Sequence, residues 1–306
     1  FCATRPPGHH ALNTGREEVF CYYNTIAIAA KYAQEKYNLK KILIIDWDYH
    51  HGNSTEVIFY EDPNVLFFST HDEFAYPGTG DPAKKGHGNG KGLNINVHLP
   101  CGATDKMIID KFNNVLLPAV KKFKPNSVLH LAGLSRPMSI HKKDINKSID
   151  LNIIGTCNLV KEVSKLNIKL IYLSTNYIYP GNSGNYTEKD SIKPWNNYGW
   201  SKLGGESAVQ MYKNSLILRL CMTEKPFIHK KAYANVKSNF IFQEDAAKII
   251  LKILNKKGII NVGGTGKTIY NFAKKNNKNI KKIYSKGEFP KRMDMSLKKL
   301  KKIIKK

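Results

Sequence analysis

KILIIDWD (41–48) is an unbroken apolar run, Ile42-Leu43-Ile44-Ile45, closed by two carboxylates, and its reading decides the class of fold. A strand exposed on one face alternates apolar with polar residues, whereas a continuous run marks a strand covered on both faces. The same pattern returns in NVLFFSTH (64–71), SVLHLAG (127–133), KLIYLSTN (169–176), SLILRL (215–220) and GIINVGG (258–264). Amphipathic stretches between these runs predict helices over 22–37, 105–123, 145–165, 198–212, 243–255 and 294–305. Strands alternating with helices of that length predict an α/β protein, a mostly parallel sheet with helices on both faces. Functional side chains of such sheets gather at the carboxyl ends of the strands. No internal repeat is visible, and only the Lys-rich end approaches low complexity.

The chain has 306 residues, enough for one large domain or two ordinary ones. Hydrophobic residues make up 42% and aromatics 10%, which excludes wholesale disorder. No apolar run reaches membrane-spanning length, and residues 1–20 lack the layout of a signal peptide. The sequence opens without Met, inside a motif, and reads as a fragment. Its five cysteines are odd in number, dispersed and free of any CxxC pair, which predicts a reducing cytoplasm rather than a disulfide framework.

Net charge is +25, but unevenly held. Residues 1–126 carry 14 Lys+Arg against 13 Asp+Glu, and residues 127–306 carry 35 against 11. The step predicts two parts of different history, or a basic end that binds polyanions without being an enzyme. Only five of the 49 basic residues are Arg, and Lys, Asn and Ile are abundant together, as A/T-rich codons produce. Nucleic acid is therefore an unlikely partner, since base readers lean on Arg. A nucleotide-sugar substrate would also suit a basic surface.

At the end of KILIIDWD stands Asp46-Trp47-Asp48-Tyr49-His50-His51-Gly52-Asn53. In an extended chain residues 46, 48 and 50 point the same way, so two carboxylates and an imidazole form a mixed set suited to Zn²⁺. Upstream, Arg5-Pro6-Pro7-Gly8-His9-His10 predicts an irregular loop presenting adjacent imidazoles. Downstream, Tyr76-Pro77-Gly78-Thr79-Gly80 predicts a rigid turn.

RPPGHHA, FCYYNTIAIAA, IDWDYHHGN, FFSTHDEFAYPGTGD and GHGNGKGLNINVHLP, in that order, make residues 1–125 resemble the histone deacetylase family, class II-like and acetoin-utilisation members included. The resemblance implies zinc held by Asp48 and His50, with His9 and His10 as the general base/acid pair. It implies that Asp46 orients His9, that Asn53 orients His10, and that Tyr76 lines the acyl-lysine channel. The activity implied is hydrolysis of an acetylated amine by metal-activated water. The family's third ligand is an Asp in a stretch like S-A-G-F-D. Here that stretch reads Leu131-Ala132-Gly133-Leu134-Ser135, and the later loop with the family's transition-state Tyr is missing. This part reads as a truncated zinc hydrolase, since catalytic zinc usually takes three protein ligands.

Tyr198-Gly199-Trp200-Ser201-Lys202 opens a predicted helix, and i, i+4 spacing puts phenol and ammonium on one face. A nearby ammonium stabilises phenolate, so the Tyr can exchange a proton near neutrality. Thr175, at the end of KLIYLSTN, offers a hydroxyl to a reacting oxygen. With VLHLAGLSRP, KSIDLNIIGTCNLV, IYLSTNYIYPG, YGWSKLGGE, INVGGTG and PKRMDMSLKKLKKI, residues 126–306 resemble the extended short-chain dehydrogenases/reductases. The resemblance is strongest to the dTDP-4-dehydrorhamnose reductases and sugar-nucleotide epimerases. It implies a Rossmann-like fold, catalytic Thr175, Tyr198 and Lys202, and an NAD(P) cleft lined by Ala132, Gly133, Tyr198 and Lys202. It also implies an Asn152 that steadies the active-site helix, and hydride transfer between the cofactor and a nucleotide-bound keto sugar.

That family opens on a strand, a Gly-rich pyrophosphate loop and a helix. No set among the 22 glycines has its 3+3 or 2+3 spacing. Gly263-Gly264-Thr265-Gly266-Lys267-Thr268 mimics a P-loop but has Asn261 where the first Gly belongs. KFKPNSVLHLAG (122–133) suits either resemblance, and SVLHLAG could extend a sheet begun by the strands before it. The sequence thus predicts a chimera of two incomplete enzymes, weakly active or inactive, and leaves oligomeric state open.

Overall fold

The computed structural model describes residues 8–12, 21, 23–130, 133–134, 138–223, 225, 227 and 229–305. It divides into two units, Phe1–Asn126 and Ser127–Lys306.

In the first unit the KILIIDWD run forms β1 (Ile42–Asp46), followed by β2 (Val65–Asp72) and β3 (Asn94–Leu99). All three are parallel, in the order β1-β2-β3. The central strand β2 is buried at every position, as its unbroken apolar sequence requires. Helix α1 (Thr25–Tyr37) starts at Asn24, whose side chain accepts from Ala27 N. It brings Ala27 and Ala30 onto Ile44, Val65 and Phe67, with Phe59 of α2 (Asn53–Phe59). The 105–123 segment is α3 (Asp105–Lys111), a π-helical turn at Phe112–Leu116 and α4 (Leu117–Phe123).

Neither α2 nor β3 was legible as apolar pattern. Asn94 and Asn96 interrupt β3, yet both are buried, because their amides donate to Glu56 of α2 at 2.9 and 2.6 Å. A polar pair thus occupies positions that an apolar pair would normally fill.

The second unit is built on β4 (Ser127–His130), β5 (Lys169–Thr175), β6 (Ser215–Leu220) and, after shorter strands, β11 (Gly258–Val262). They are parallel in the order β11-β6-β5-β4. Ser127–His130 of SVLHLAG thus ladder along β5, and among the described residues β4 joins no sheet with β1, β2 or β3. Helices α5 (Ile140–Lys143), α6 (Ile145–Ile149) and α7 (Gly155–Lys165) follow β4, with a π-helical turn at Asp150–Ile154. Helix α8 (Asn197–Gln210) follows β5, and α9 (Gln243–Ile253) and α11 (Lys298–Ile304) pack with β6 and β11 around Leu216, Leu218, Ile253, Ile260 and Val262. Short pairs flank this sheet: β7 (Met222–Thr223) with β10 (Ile241–Phe242), β8 (Lys231–Tyr233) with β13 (Lys281–Ile283), and β9 (Lys237–Ser238) with β12 (Lys267–Thr268). Helix α10 (Ile269–Lys274) adds Ile269 and Ala273 to a second cluster with Phe227, Ala232 and Met293. No helix among the described residues is long and apolar enough to cross a membrane.

Under α8 lies a buried ion pair. Arg219 donates through Nε and Nη2 to Glu206 Oε1 at 3.1 and 2.7 Å, and Ser174 donates to Glu206 Oε2. Arg219 Nη1 also reaches Tyr179 Oη at 2.8 Å. Breaking such a pair from one side costs about 3–5 kcal/mol, because a buried charge is left uncompensated.

Candidate active sites

In the first unit Gly8 makes the entry turn at φ +88, where a Cβ would overlap the carbonyl of Tyr23. The loop then presents two buried imidazoles, 4.1 Å apart between ring centroids. His9 Nδ1 donates to Asp46 Oδ2 at 2.8 Å, and His10 Nδ1 donates to Asn53 Oδ1 at 2.8 Å. Both acceptors fix the hydrogen on Nδ1 and leave Nε2 to exchange a proton.

The two partners differ by a charge, and the imidazoles part accordingly. Burial lowers the proton affinity of His9, but the hydrogen bond and charge of Asp46, with Asp48 behind it, outweigh this and raise it. Burial also lowers that of His10, and Asn53 compensates only in part, so His10 stays below its ordinary value. Paired groups pushed in opposite directions are the signature of an acid and a base.

The extended alternation expected over 46–50 is not what forms. Strand β1 ends at Asp46, whose Oδ1 accepts from Asp48 N at 3.1 Å, and Asp48 Oδ1 accepts from His50 N at 2.9 Å. These local bonds bend the chain. Asp46 is thereby committed to His9, while Asp48 and His50 remain together at the surface, Oδ1 to Nδ1 3.3 Å. Tyr76 closes the cluster, its ring 5.1 Å from His10 and 6.4 Å from His50.

Two donors of a tetrahedral zinc stand about 3.4 Å apart. Asp48 and His50 match two such corners, yet among the described residues no three His, Cys, Asp or Glu side chains could hold a metal ion. The donor set therefore fits zinc in part only.

Sequence reading missed a buried polar set behind this cluster. Glu56 is held down to about 2: burial works to raise it, but bonds from His51, Asn96 and Asn94 prevail. His51 Nδ1 pairs with Thr79 Oγ1 at 2.8 Å, and His71 Nε2 donates to Gly80 O at 3.2 Å. Both imidazoles thus grip the turn that follows Tyr76. The two inward Asn of LNINVHL were the available signal.

In the second unit Asn196 caps α8 by accepting from Gly199 N at 2.8 Å. Tyr198 and Lys202 then occupy successive turns of one helical face. Thr175 ends β5, its hydroxyl accepting from Tyr177 N, and the Tyr177 ring stands 5.7 Å from that of Tyr198. On its other side Tyr198 meets His141 at 5.2 Å.

Lys202 is buried, which pushes its ammonium down to about 8 even though the charge of Glu206 pulls it back up. Its Nζ and Asn152 Oδ1 lie 3.7 and 3.0 Å from where a Cβ on Gly133 would be. Asn152 bonds the backbone of Leu134 through Oδ1 and Nδ2, and donates to Ser201 of α8 at 2.8 Å. Leu131, Ala132 and Ser135 lie outside the described residues, so the expected part of Ala132 in the cleft has no structural counterpart here.

A family profile described as histone deacetylase domain matches residues 1–190, and one described as GDP-mannose 4,6 dehydratase matches residues 110–288. Each spans more than half of the chain. The chain belongs to both families. The two matches overlap over 110–190, which includes SVLHLAG.

Histone deacetylase 10, chloroplastic, of Oryza sativa is 47% identical over 133 residues, 44% of this chain and 30% of that protein. A probable deacetylase of Archaeoglobus fulgidus is 43% identical over 136 residues, 44% of this chain and 36% of that protein. The chain thus spans about a third of the length of these curated relatives. The dTDP-4-dehydrorhamnose reductase of Bacillus anthracis, solved in complex with NADP, superposes with a TM-score of 0.54 at 20% identity, over 68% of this chain and 83% of that one. At that identity the likeness shows the Rossmann-like fold alone. Deacetylase membership implies zinc, and in the second unit Gly133, without a Cβ, leaves open space beside Lys202.

Proposed function

We propose that the chain joins a deacetylase-type centre, residues 1–125, to a nucleotide-sugar reductase- or epimerase-type centre, residues 126–306. Each keeps its proton-transfer residues and lacks part of the apparatus that holds zinc or cofactor. The observation that carries this reading is the pair His9–Asp46 and His10–Asn53 beside Asp48 and His50. Tyr198 and Lys202 on one face of α8, with Thr175 at the end of β5, are its counterpart.

In the first centre the neutral His10 takes a proton from water attacking an acetylated amine, and His9 returns one to the leaving nitrogen. Zinc would supply polarisation of the carbonyl, but Asp48 and His50 give it two donors. In the second, Tyr198 delivers a proton to the carbonyl oxygen of a nucleotide-bound keto sugar. Thr175 bonds that oxygen, and the Lys202 ammonium favours the phenolate left behind. NAD(P)H would supply the hydride, with Gly133, Tyr198 and Lys202 toward its nicotinamide end and no Gly-x-x-Gly-x-x-Gly for its pyrophosphate.

We expect weak or no turnover from either centre, with small molecules as the substrates and the cytoplasm as the compartment; the dispersed free cysteines support the latter. The test is metal analysis of the purified protein alongside an NADPH titration followed by Trp fluorescence. The expected result is substoichiometric zinc and no saturation at millimolar cofactor. Stoichiometric zinc with amidase turnover, or micromolar NADPH binding with sugar reduction, would overturn the incompleteness.

A further inference from the structure

We infer that Tyr172 is the positioning residue for Lys202, its ring holding the lysine ammonium at the floor of the cleft beside Gly133. The inference rests on reading Tyr198 and Lys202 as the proton-transfer pair.

Lys202 Nζ stands 4.2 Å from the centroid of the Tyr172 ring, and the Tyr172 hydroxyl donates to the backbone carbonyl of Lys202 at 3.0 Å. One side chain therefore grips both ends of the lysine. Tyr172 is fully buried on β5, three residues before Thr175, so the seat is part of the sheet and does not swing.

A buried ammonium needs a compensating partner or it gives up its proton. Among the described residues Lys202 makes no ion pair. Glu206, one turn further along α8, contributes charge, but Arg219 and Gln210 bond its Oε1 and Ser174 its Oε2. From β4, His130 faces the same space, its ring 5.5 Å from that of Tyr172 and its Nε2 3.0 Å from Thr156 Oγ1. Burial, then the charge of Lys202, holds His130 down to about 4, so it is neutral and adds no repulsion near pH 7. The negative face of the Tyr172 ring is thus the group in direct contact with the ammonium, an attraction that grows when water is excluded.

The experiment uses the full chain with isotope-labelled lysine, the Lys202 signal being assigned by its loss in Lys202→Gln. In the unmodified chain the Lys202 side-chain protons are displaced upfield by the ring and titrate near about 8. Tyr172→Phe keeps the ring, and the displacement and midpoint stay. Tyr172→Leu removes it; the displacement is lost and the midpoint falls by about one pH unit, roughly a tenfold loss of proton affinity. Should Tyr172→Leu fail to fold, Phe analogues of rising fluorine content at 172 weaken the ring face without changing its shape, and the midpoint should fall step by step.

An unshifted Lys202 signal in the unmodified chain, or a midpoint indifferent to ring fluorination, overturns the seat. So does a Tyr172→Phe chain that loses as much as Tyr172→Leu, which would assign the effect to the hydroxyl. Titration of the Tyr198 phenol in the same samples separates the two claims. A displaced Lys202 with a Tyr198 midpoint indifferent to Lys202→Gln leaves the seat and removes the proton-transfer pair; a Tyr198 midpoint that responds, with an undisplaced Lys202, does the reverse.

Discussion

The two units prepare proton-transfer groups by opposite means. In the first, His9 and His10 are tilted neighbours, both buried, and each direction follows from burial set against a carboxylate on His9 and, on His10, against an amide with the charges of His9 and His50 adding to burial. In the second, Lys202 has no such partner, and its ammonium is brought down to about 8 by exclusion of water. A partner's charge prevails over burial at His9; desolvation prevails at Lys202, which α8 sets against Tyr172 of the sheet. The first arrangement is local and rests on four side chains. The second depends on everything packed beneath α8.

The comparison breaks most visibly at Arg219. Arg219→Met strands Glu206 inside the second unit and should cost about 3–5 kcal/mol of that unit's stability. Urea unfolding of a Trp47→Phe background, where the remaining Trp195 and Trp200 report on the second unit, measures the loss. An unchanged midpoint would mean that the pair does not underlie the Lys202 site.

Acid gives the next largest effect and touches both units. Burial, with the charge of His51 next, holds His71 down to about 4, as burial and Lys202 hold His130. Each takes up a proton more readily when unfolded, at an ordinary 6.5. Stability is therefore fully present above 6.5 and is lost as pH falls through the folded values near 4, by up to about 3 kcal/mol per group. Glu56 belongs to the first unit only and has its carboxyl held near 2, so that unit alone loses a further increment between 4.5 and 2. His71→Asn and His130→Gln should each flatten the limb above pH 4 for one unit, read as unfolding midpoint against pH.

How much of this was legible follows from which residues carry it. The apolar runs marked six of the seven strands in the two larger sheets; burial on both faces accounts for β2, β5 and β6, whereas β1 and β4 are edge strands that leave Ile45 and Leu129 exposed. β3 was missed because Asn94 and Asn96 face a carboxylate across the fold, a partner 38 and 40 residues away that periodicity does not register. The spacing Tyr198/Lys202 was readable since a helix fixes it. The strand alternation over Asp46, Asp48 and His50 misled, because carboxylate-to-backbone bonds two residues apart end the strand first. Tyr172 left no mark in sequence beyond one more aromatic residue in a buried strand.

Gly52 sharpens the comparison on the surface side. A Cβ there would overlap Asp46 Oδ2 and stand 3.3 Å from His9 Nδ1. Gly52→Ala should therefore cost roughly 1–3 kcal/mol and displace the His9–Asp46 bond, while the Lys202 titration stays where it is. Imidazole NMR of His9 and thermal unfolding check the two parts.

The smallest change tests the principle most directly, because it moves one charge and no volume. Asp46→Asn leaves His9 an acceptor for its Nδ1–H but removes the carboxylate that outweighs burial, so the His9 midpoint should fall below its ordinary value. Asn53→Asp does the converse for His10, whose midpoint should rise. The double exchange should swap the two imidazoles' order of titration while leaving the fold and the Tyr76 contact in place. If the order holds through the exchange, burial rather than the partner sets each imidazole, and the two units would then prepare their proton-transfer groups in the same way.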